Sequence, residues 1–325
     1  MTEQRASRQG LITAGFLVFI LLLAFGLRFY CLDAQSLWND EGTSVALAQR
    51  SLASIARDSA RDIHPPLYYW LLSGWVRLSG TGEATVRSLS ALLGVVLVAL
   101  TYALGRMLAG RWIGLAAALL ATIHPFQVYY AQEARMYMLL AVLTAGAVLS
   151  LVVLVDRSSR SKSTFLAYAA LVVLEAAGLY THYSFVFIVA ALNLAYLLWL
   201  ALTWRAATPG NTPGPVRRLV YWVLSQVVVL LLYLPWLPTA VRQVTAWPSP
   251  AGTTPFLPAL ATTWRWLVFG PTIETGDVIV PLLVAALLAA AGLLSLAVGW
   301  VGEGTLRTRW GAALLALWPV SYTHL

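Results

Sequence analysis

Two adjacent carboxylates, Asp40 and Glu41, stand in the string Ser36-Leu37-Trp38-Asn39-Asp40-Glu41, a few residues after the first long apolar run. Acids are scarce in this chain: there are 13 in 325 residues, and only 10% of all residues are charged against 60% hydrophobic. Such a pair is suited to proton transfer, with one carboxylate taking a proton from an acceptor hydroxyl while its neighbour positions it or a cation. Adjacent side chains on a helix point about 100° apart, so the two acids are expected to have different partners. The structural alternative is a helix cap, because a short helix is expected at 42–49.

Three further clusters carry polar chemistry. In His64-Pro65-Pro66-Leu67-Tyr68-Tyr69, Pro65 disfavours helix at His64 and the prolines suit a first helical turn. His64 therefore sits near a helix N-terminus, which favours anions, and is a candidate phosphate contact. The stretch His124-Pro125-Phe126-Gln127-Val128-Tyr129-Tyr130-Ala131-Gln132-Glu133-Ala134-Arg135-Met136-Tyr137 joins two apolar segments. On a helix, Glu133 and Arg135 would point to nearly opposite sides, so each is expected to have its own partner. The donor fork of an arginine suits a phosphate leaving group. His182, in Tyr180-Thr181-His182-Tyr183, ends another apolar segment and is weighed against an interfacial histidine among aromatics. Glu175 lies less than two turns deeper, where an acid should face a cavity or a partner. Trp264-Arg265-Trp266 and Glu274/Asp277 read as belt residues and as charges that could reach a substrate. No spacing matches a phosphate-binding loop, a dinucleotide fingerprint or a zinc helix. The four histidines are far apart along the chain, against a histidine-rich metal site. The paired acids could hold a divalent cation, but no full ligand set is visible.

The elements that must position these residues are transmembrane. A mean hydropathy of +0.76 and repeated apolar runs of about twenty residues mark an all-α polytopic membrane protein. The first run, 11–27, has no small-residue cleavage site before Arg28-Phe29-Tyr30 and is expected to stay as a helix. Further apolar segments fall at 84–105, 112–126, 136–155, 164–181, 184–204, 219–237, 277–300 and 310–320. The segment 67–78 is short and contains Arg77. If it does not cross, Arg5, Arg8, Arg106, Arg111, Arg157, Arg160, Lys162, Arg205, Arg217, Arg218, Arg307 and Arg309 all lie on the N-terminal side. The positive-inside rule then puts the N-terminus in the cytoplasm and 67–78 along the outer surface. Asp40, Glu41, His64, Glu133, Arg135, His182 and the loop 238–276 all land at the outer face. The net charge of +8 is spread over short loops, so nucleic acid is not an expected partner. Membrane lipids are. Fourteen tryptophans and fourteen tyrosines fit interfacial belts and a polar-lined cavity. The single cysteine, Cys31, permits no intrachain disulfide.

The inner stretch 208–215 reads as a flexible connector, and 1–325 reads as one domain without internal repeats. The frame reads as truncated at its C-terminus, because the segment 311–320 is too short to span. The tail Ser321-Tyr322-Thr323-His324-Leu325 resembles translated adapter read-through, so it is not expected to be native and His324 carries no functional weight.

Together, Trp38-Asn39-Asp40-Glu41, His64-Pro65-Pro66-Leu67-Tyr68-Tyr69, Arg87-Ser88-Leu89-Ser90-Ala91-Leu92-Leu93-Gly94 and Gln132-Glu133-Ala134-Arg135-Met136-Tyr137 resemble bacterial glycosyltransferases of family 39. These are relatives of protein O-mannosyltransferases and of the aminoarabinose transferase that modifies lipid A. The resemblance covers about residues 10 to 200. It implies a GT-C fold: a transmembrane helical bundle with interfacial helices in the first outer loop, an outward-facing active site and a polyprenyl-phosphate sugar donor. It implies Asp40 as general base, with Glu133 and Arg135 as further polar site residues; Glu41 is the second catalytic candidate, and His64, Tyr68, Tyr137 and His182 join Glu133 and Arg135 as candidate substrate-binding residues. His64 departs from the lysine that the aminoarabinose branch often carries before Pro-Pro. The expected reaction transfers the sugar to a lipid, glycan or protein acceptor at the extracytoplasmic face of a bacterial inner membrane. Direct attack by the activated hydroxyl would invert the anomeric centre. The rivals are a transporter or flippase of a lipid-linked sugar and a non-catalytic lipid-binding subunit. Transporters gather polar groups near the midplane, whereas here they gather at one face and Glu175 alone is deep.

Overall fold

A computed structural model describes residues 2–156, 161–204, 214–246 and 255–270, together with residue 286. Among the described residues all regular structure is helical. In chain order the helices are α1 (Thr2–Phe29), α2 (Asn39–Ala48), α3 (Leu52–Ser59), α4 (Leu67–Ser79), α5 (Glu83–Ala109), α6 (Arg111–Ile123), α7 (Pro125–Ala131), α8 (Tyr137–Val155), α9 (Ser161–Leu179), α10 (Phe185–Trp204), α11 (Pro215–Tyr233), α12 (Leu237–Thr245) and α13 (Phe256–Phe269). Among the described residues five helices are long and apolar enough to cross a membrane: Gln9–Phe29 of α1, and α5, α8, α10 and α11; the bent pair α6 and α7 makes a sixth if counted as one span.

α8 is the centre of the bundle. Its side chains are mostly buried, and α5, α9 and α10 pack around it. The outer helices keep large apolar side chains exposed, Phe16 and Leu22 on α1 and Leu194 and Leu231 on α10 and α11 among them, as contact with lipid tails requires. α5 and α6 form a tight hairpin through Gly110, whose φ of 96° is open to glycine at little cost. Their backbones nearly touch, since a Cβ added at Gly105 would lie 2.8 Å from the Cα of Gly114. Small residues allow that close approach between membrane helices.

The expected segment 112–126 is not one helix. It breaks at His124, and α6 and α7 are bent by 60°. The cause is Pro125, which has no N–H to give the carbonyl of Ala121 one turn earlier. Arg28, fully buried at the end of α1, replaces that donor: its Nη2 reaches Ala121 O at 3.0 Å and its Nη1 reaches Thr122 O at 3.2 Å. Gly94 makes room for this arginine, since a Cβ there would lie 2.7 Å from Arg28 Nε.

The connection between α1 and α5 folds into three short helices. α4 has 13 residues, or about 20 Å at 1.5 Å per residue, well short of a bilayer core of about 30 Å. α2 begins at Asn39, earlier than the expected 42, because Trp38 is extended and Glu41 at the third helical position accepts the Trp38 N–H at 3.4 Å. The late loop 238–276 contains most of α12 and all of α13, the latter packed on α7 and carrying Trp264, Arg265 and Trp266. Apart from residue 286, the expected segments 277–300 and 310–320, with Glu274, Asp277, the connector residues 208–213 and the tail 321–325, lie outside the described residues.

Candidate functional site

The early start of α2 puts Asp40 and Glu41 in its first turn, and the turn of the helix sends them to different partners. Glu41 is completely buried. Its carboxylate receives Arg87 Nε at 2.9 Å, Arg87 Nη2 at 2.6 Å and the Ala134 N–H at 2.8 Å. Burial alone would raise its pKa, but the Arg87 guanidinium and the two backbone N–H groups hold it below the usual carboxylate range. Arg87 also gives Nη1 to the carbonyls of Leu32 and Gln35, both at 2.7 Å, which ties down the chain between α1 and α2. This arginine stands in a quoted sequence string, yet nothing in its spacing revealed the pairing with Glu41.

Asp40 is open by comparison, with 40% of its side chain exposed. Its Oδ2 lies 3.4 Å from Nη2 of Arg135, which is buried, and whose Nε has no hydrogen-bond partner. The guanidinium lies 5.9 Å from the Tyr137 ring. Residues 132–136 are not helical. The Arg135 N–H closes a tight turn onto Glu133 O at 2.8 Å, so the opposite-sides expectation for a helix does not apply. Glu133 and Arg135 do separate: Glu133 turns toward Tyr129 and Tyr130. Burial lifts its pKa to about 7, with the Tyr129 hydroxyl offsetting part of that rise. A cavity of about 830 Å³ opens beside it, lined in part by Trp38, Glu41, Arg87, Tyr129, Glu133 and Tyr137. Asp40 does not line that cavity.

His64 and His182, far apart along the chain, come together with ring centroids 6.1 Å apart. The Pro-Pro turn is fastened there, because Leu67, the first residue after the prolines with an N–H to give, donates it to Tyr180 O at 3.0 Å. His64 Nδ1 is 3.6 Å from Asp62, a residue the sequence did not single out. The His64 contact, offset in part by burial, lowers the Asp62 pKa. His182 accepts the Ser184 N–H at Nδ1, 3.2 Å away, so its neutral ring carries the proton on Nε2. Burial, with His64 and Arg135 adding to it, pushes its pKa down to about 4, so it is neutral at pH 7. Tyr68 is completely buried and offers no surface to a substrate; its neighbour Tyr69 packs edge-on against it at 5.8 Å. Glu175 lies inside the bundle and accepts Gln226 Nε2 at 3.0 Å, apart from the cluster. Among the described residues no three His, Cys, Asp or Glu side chains are arranged to hold a metal ion.

Residues 63–238 match the family model described as dolichyl-phosphate-mannose-protein mannosyltransferase, which is more than half of the chain. The chain belongs to this mannosyltransferase family. His64, Tyr68, Glu133, Arg135, Tyr137 and His182 fall inside the stretch that defines its membership, while Asp40 and Glu41 precede it. No curated protein matches the chain by sequence. Among solved structures, ArnT from Cupriavidus metallidurans bound to undecaprenyl phosphate is similar with a TM-score of 0.57 at 18% identity, over 96% of this chain and 56% of that one. The S. cerevisiae protein O-mannosyltransferase Pmt1-Pmt2 complex bound to the sugar donor matches with a TM-score of 0.56 at 17% identity, over 81% and 37%. The archaeal oligosaccharyltransferase AglB from Archaeoglobus fulgidus follows at 0.53 and 12%, over 95% and 39%. These likenesses give the mannosyltransferase-family chain the GT-C membrane glycosyltransferase fold. The chain spans little more than half the length of ArnT and well under half of the other two.

Proposed function

We propose that the protein is a membrane glycosyltransferase that moves a sugar from a polyprenyl-phosphate donor to a hydroxyl of a lipid, glycan or protein acceptor at the extracytoplasmic face. The observation that carries this reading is the pair Asp40 and Arg135, an open carboxylate 3.4 Å from a buried guanidinium. Asp40 accepts the proton of the acceptor hydroxyl. That oxygen bonds to the anomeric carbon from the side opposite the phosphate, the bond from that carbon to the phosphate oxygen breaks, and the electron pair leaves on the phosphate. Arg135 stabilises the departing charge with donors of its fork, in surroundings that exclude water. His64 and the neutral His182 meet beside Asp62, where they can hold the phosphate or the sugar. The Glu41 carboxylate is committed to Arg87 and two backbone N–H groups; it is a positioning residue that fixes the first turn of α2, and with it Asp40.

The family and the fold support the choice of donor, since the similar ArnT structure holds undecaprenyl phosphate and the yeast complex holds a sugar donor. The test is reconstitution of the protein in vesicles with a radiolabelled polyprenyl-phosphate sugar and a pool of candidate acceptors. Transfer with inversion at the anomeric centre is expected. Movement of the intact donor across the bilayer without transfer would overturn the reading in favour of a transporter.

A further inference from the structure

A second basic cavity, of about 620 Å³, lies beside the site and takes no part in the chemistry above. Arg57 at the end of α3 and Arg61 just beyond it form one wall, and Arg242 and Gln243 of α12 form another. The walls come from distant parts of the chain, 182 residues apart at Ala60 and Arg242, and they are interlocked. Arg242 gives Nη2 to the Ala60 carbonyl at 3.1 Å. Gln243 is buried; its Nε2 donates to Ser59 O at 2.7 Å and to Asp62 O, and its Oε1 accepts the Tyr183 hydroxyl.

Three guanidinium groups in one cavity repel one another and cannot shed their charge. Neither nearby acid forms an ion pair with them. Asp58 is paired with Arg50 at 2.6 Å, and Asp62 turns to His64 at 3.6 Å. Arg57 and Arg242 sit in the last turns of their helices, where the dipole favours cations, and Arg57 bonds Ser54 Oγ at 3.1 Å. Arg61 lies past the end of α3 and has no side-chain hydrogen bond or ion pair among the described residues. It is a cation held beside two others without an ion pair of its own, although the Asp62 carboxylate lines the same cavity.

We propose that this cavity is an anion site that takes a phosphate-bearing group, bound by Arg57, Arg61 and Arg242 and separate from Asp40 and Arg135. Guanidinium forks match tetrahedral phosphate oxygens, and three of them suit a group with more than one negative charge. The ligand is either the headgroup of an anionic lipid at the membrane surface or a soluble phosphate.

The test is thermal unfolding of the full chain at fixed ionic strength, with two probes. One is inorganic pyrophosphate added to detergent-solubilised protein; the other is a nanodisc of phosphatidylglycerol compared with one of phosphatidylcholine. Pyrophosphate stabilisation of the wild type, weakened about tenfold for each arginine lost in Arg57→Gln/Arg61→Gln and retained in Arg135→Gln, assigns a soluble ligand. Stabilisation by phosphatidylglycerol alone, lost in the same double variant, assigns a lipid headgroup. Either probe acting equally on wild type and double variant, or neither acting on the wild type, overturns the site. Arg61→Gln alone removes no described contact and keeps the comparison readable should the double variant fold poorly.

Discussion

The outer cluster and the interior of the α9–α11 layer handle buried polar groups with different chemistry. In the interior, Trp222 Nε1 donates to Asn193 Oδ1 at 2.8 Å, Asn193 Nδ2 to Gln226 Oε1 at 2.9 Å, and Gln226 Nε2 to Glu175 Oε2 at 3.0 Å. The chain is made of amides and an indole, and a carboxyl closes it. In the outer cluster full charges face each other at longer range, as Asp40 and Arg135 do, and a buried Arg135 nitrogen is left without a partner. Each leaves one buried atom open, Glu175 Oε1 inside and Arg135 Nε outside; the inner chain of neutral donors holds helices in register, whereas Arg135, beside the exposed Asp40, has a charge left for a substrate. The boundary between the two kinds of region runs through the acidic pair itself. Glu41, locked to Arg87 and two backbone N–H groups, belongs with the interior; Asp40, one residue earlier, belongs with the site.

That comparison can be broken at several points. The largest effect on stability is expected from Arg87→Ala, which leaves Glu41 buried without its cation and frees the carbonyls of residues 32, 35 and 36. A loss of about 3–5 kcal/mol is expected, read as a lowered Tm of the solubilised protein; a loss below about 1 kcal/mol would move Glu41 out of the structural class. A smaller effect is expected in the interior. Glu175→Leu leaves the Gln226 amide without an acceptor, at a cost of about 1–3 kcal/mol, while Glu175→Gln keeps an oxygen there and stays close to wild type. Equal melting of the two variants would mean the α9–α11 chain does not hold the helices.

The smallest effect is a pH dependence at Glu133. Its pKa is raised in the folded protein to about 7, so the folded state binds the proton more tightly than the unfolded chain does. Its contribution is fully present at pH values below the ordinary carboxylate pKa and is lost as pH rises through about 7. Glu133→Gln should therefore melt with the wild type near pH 4 and above it near pH 8. Parallel melting curves across that range would place Glu133 in solvent.

Much of this was legible in the sequence. The apolar runs gave the helices of the bundle, because about twenty uninterrupted apolar residues have few other uses. Asp40, Arg135 and His64 stood out as candidates because charged and polar residues at the ends of such runs are expensive without a purpose. The pairings did not. Arg28 and Arg87 looked like ordinary flanking arginines, since their partners, the carbonyls of Ala121 and Thr122 and the Glu41 carboxylate, lie 46 to 94 residues away. The meeting of His64 and His182 depends on how the Pro-Pro turn docks on the α9–α10 connection, which no local pattern encodes. The break at Pro125 had a visible signal in the proline, but the hydropathy of 112–126 hid it, because a bend does not interrupt an apolar run. Arg57, Arg61 and Arg242 carried no signal at all until α3 and α12 met.

The central claim is that Asp40 takes the proton while Glu41 only holds it in place. The most direct measurement compares transfer from a labelled polyprenyl-phosphate sugar by wild type and Asp40→Asn in the same vesicles, with Tm recorded for both. Asp40 is open and makes a single long contact, so the variant should melt within about 0.5 kcal/mol of wild type while transfer falls by about 10²–10⁴-fold. Transfer at the wild-type rate in a folded Asp40→Asn protein would contradict the assignment.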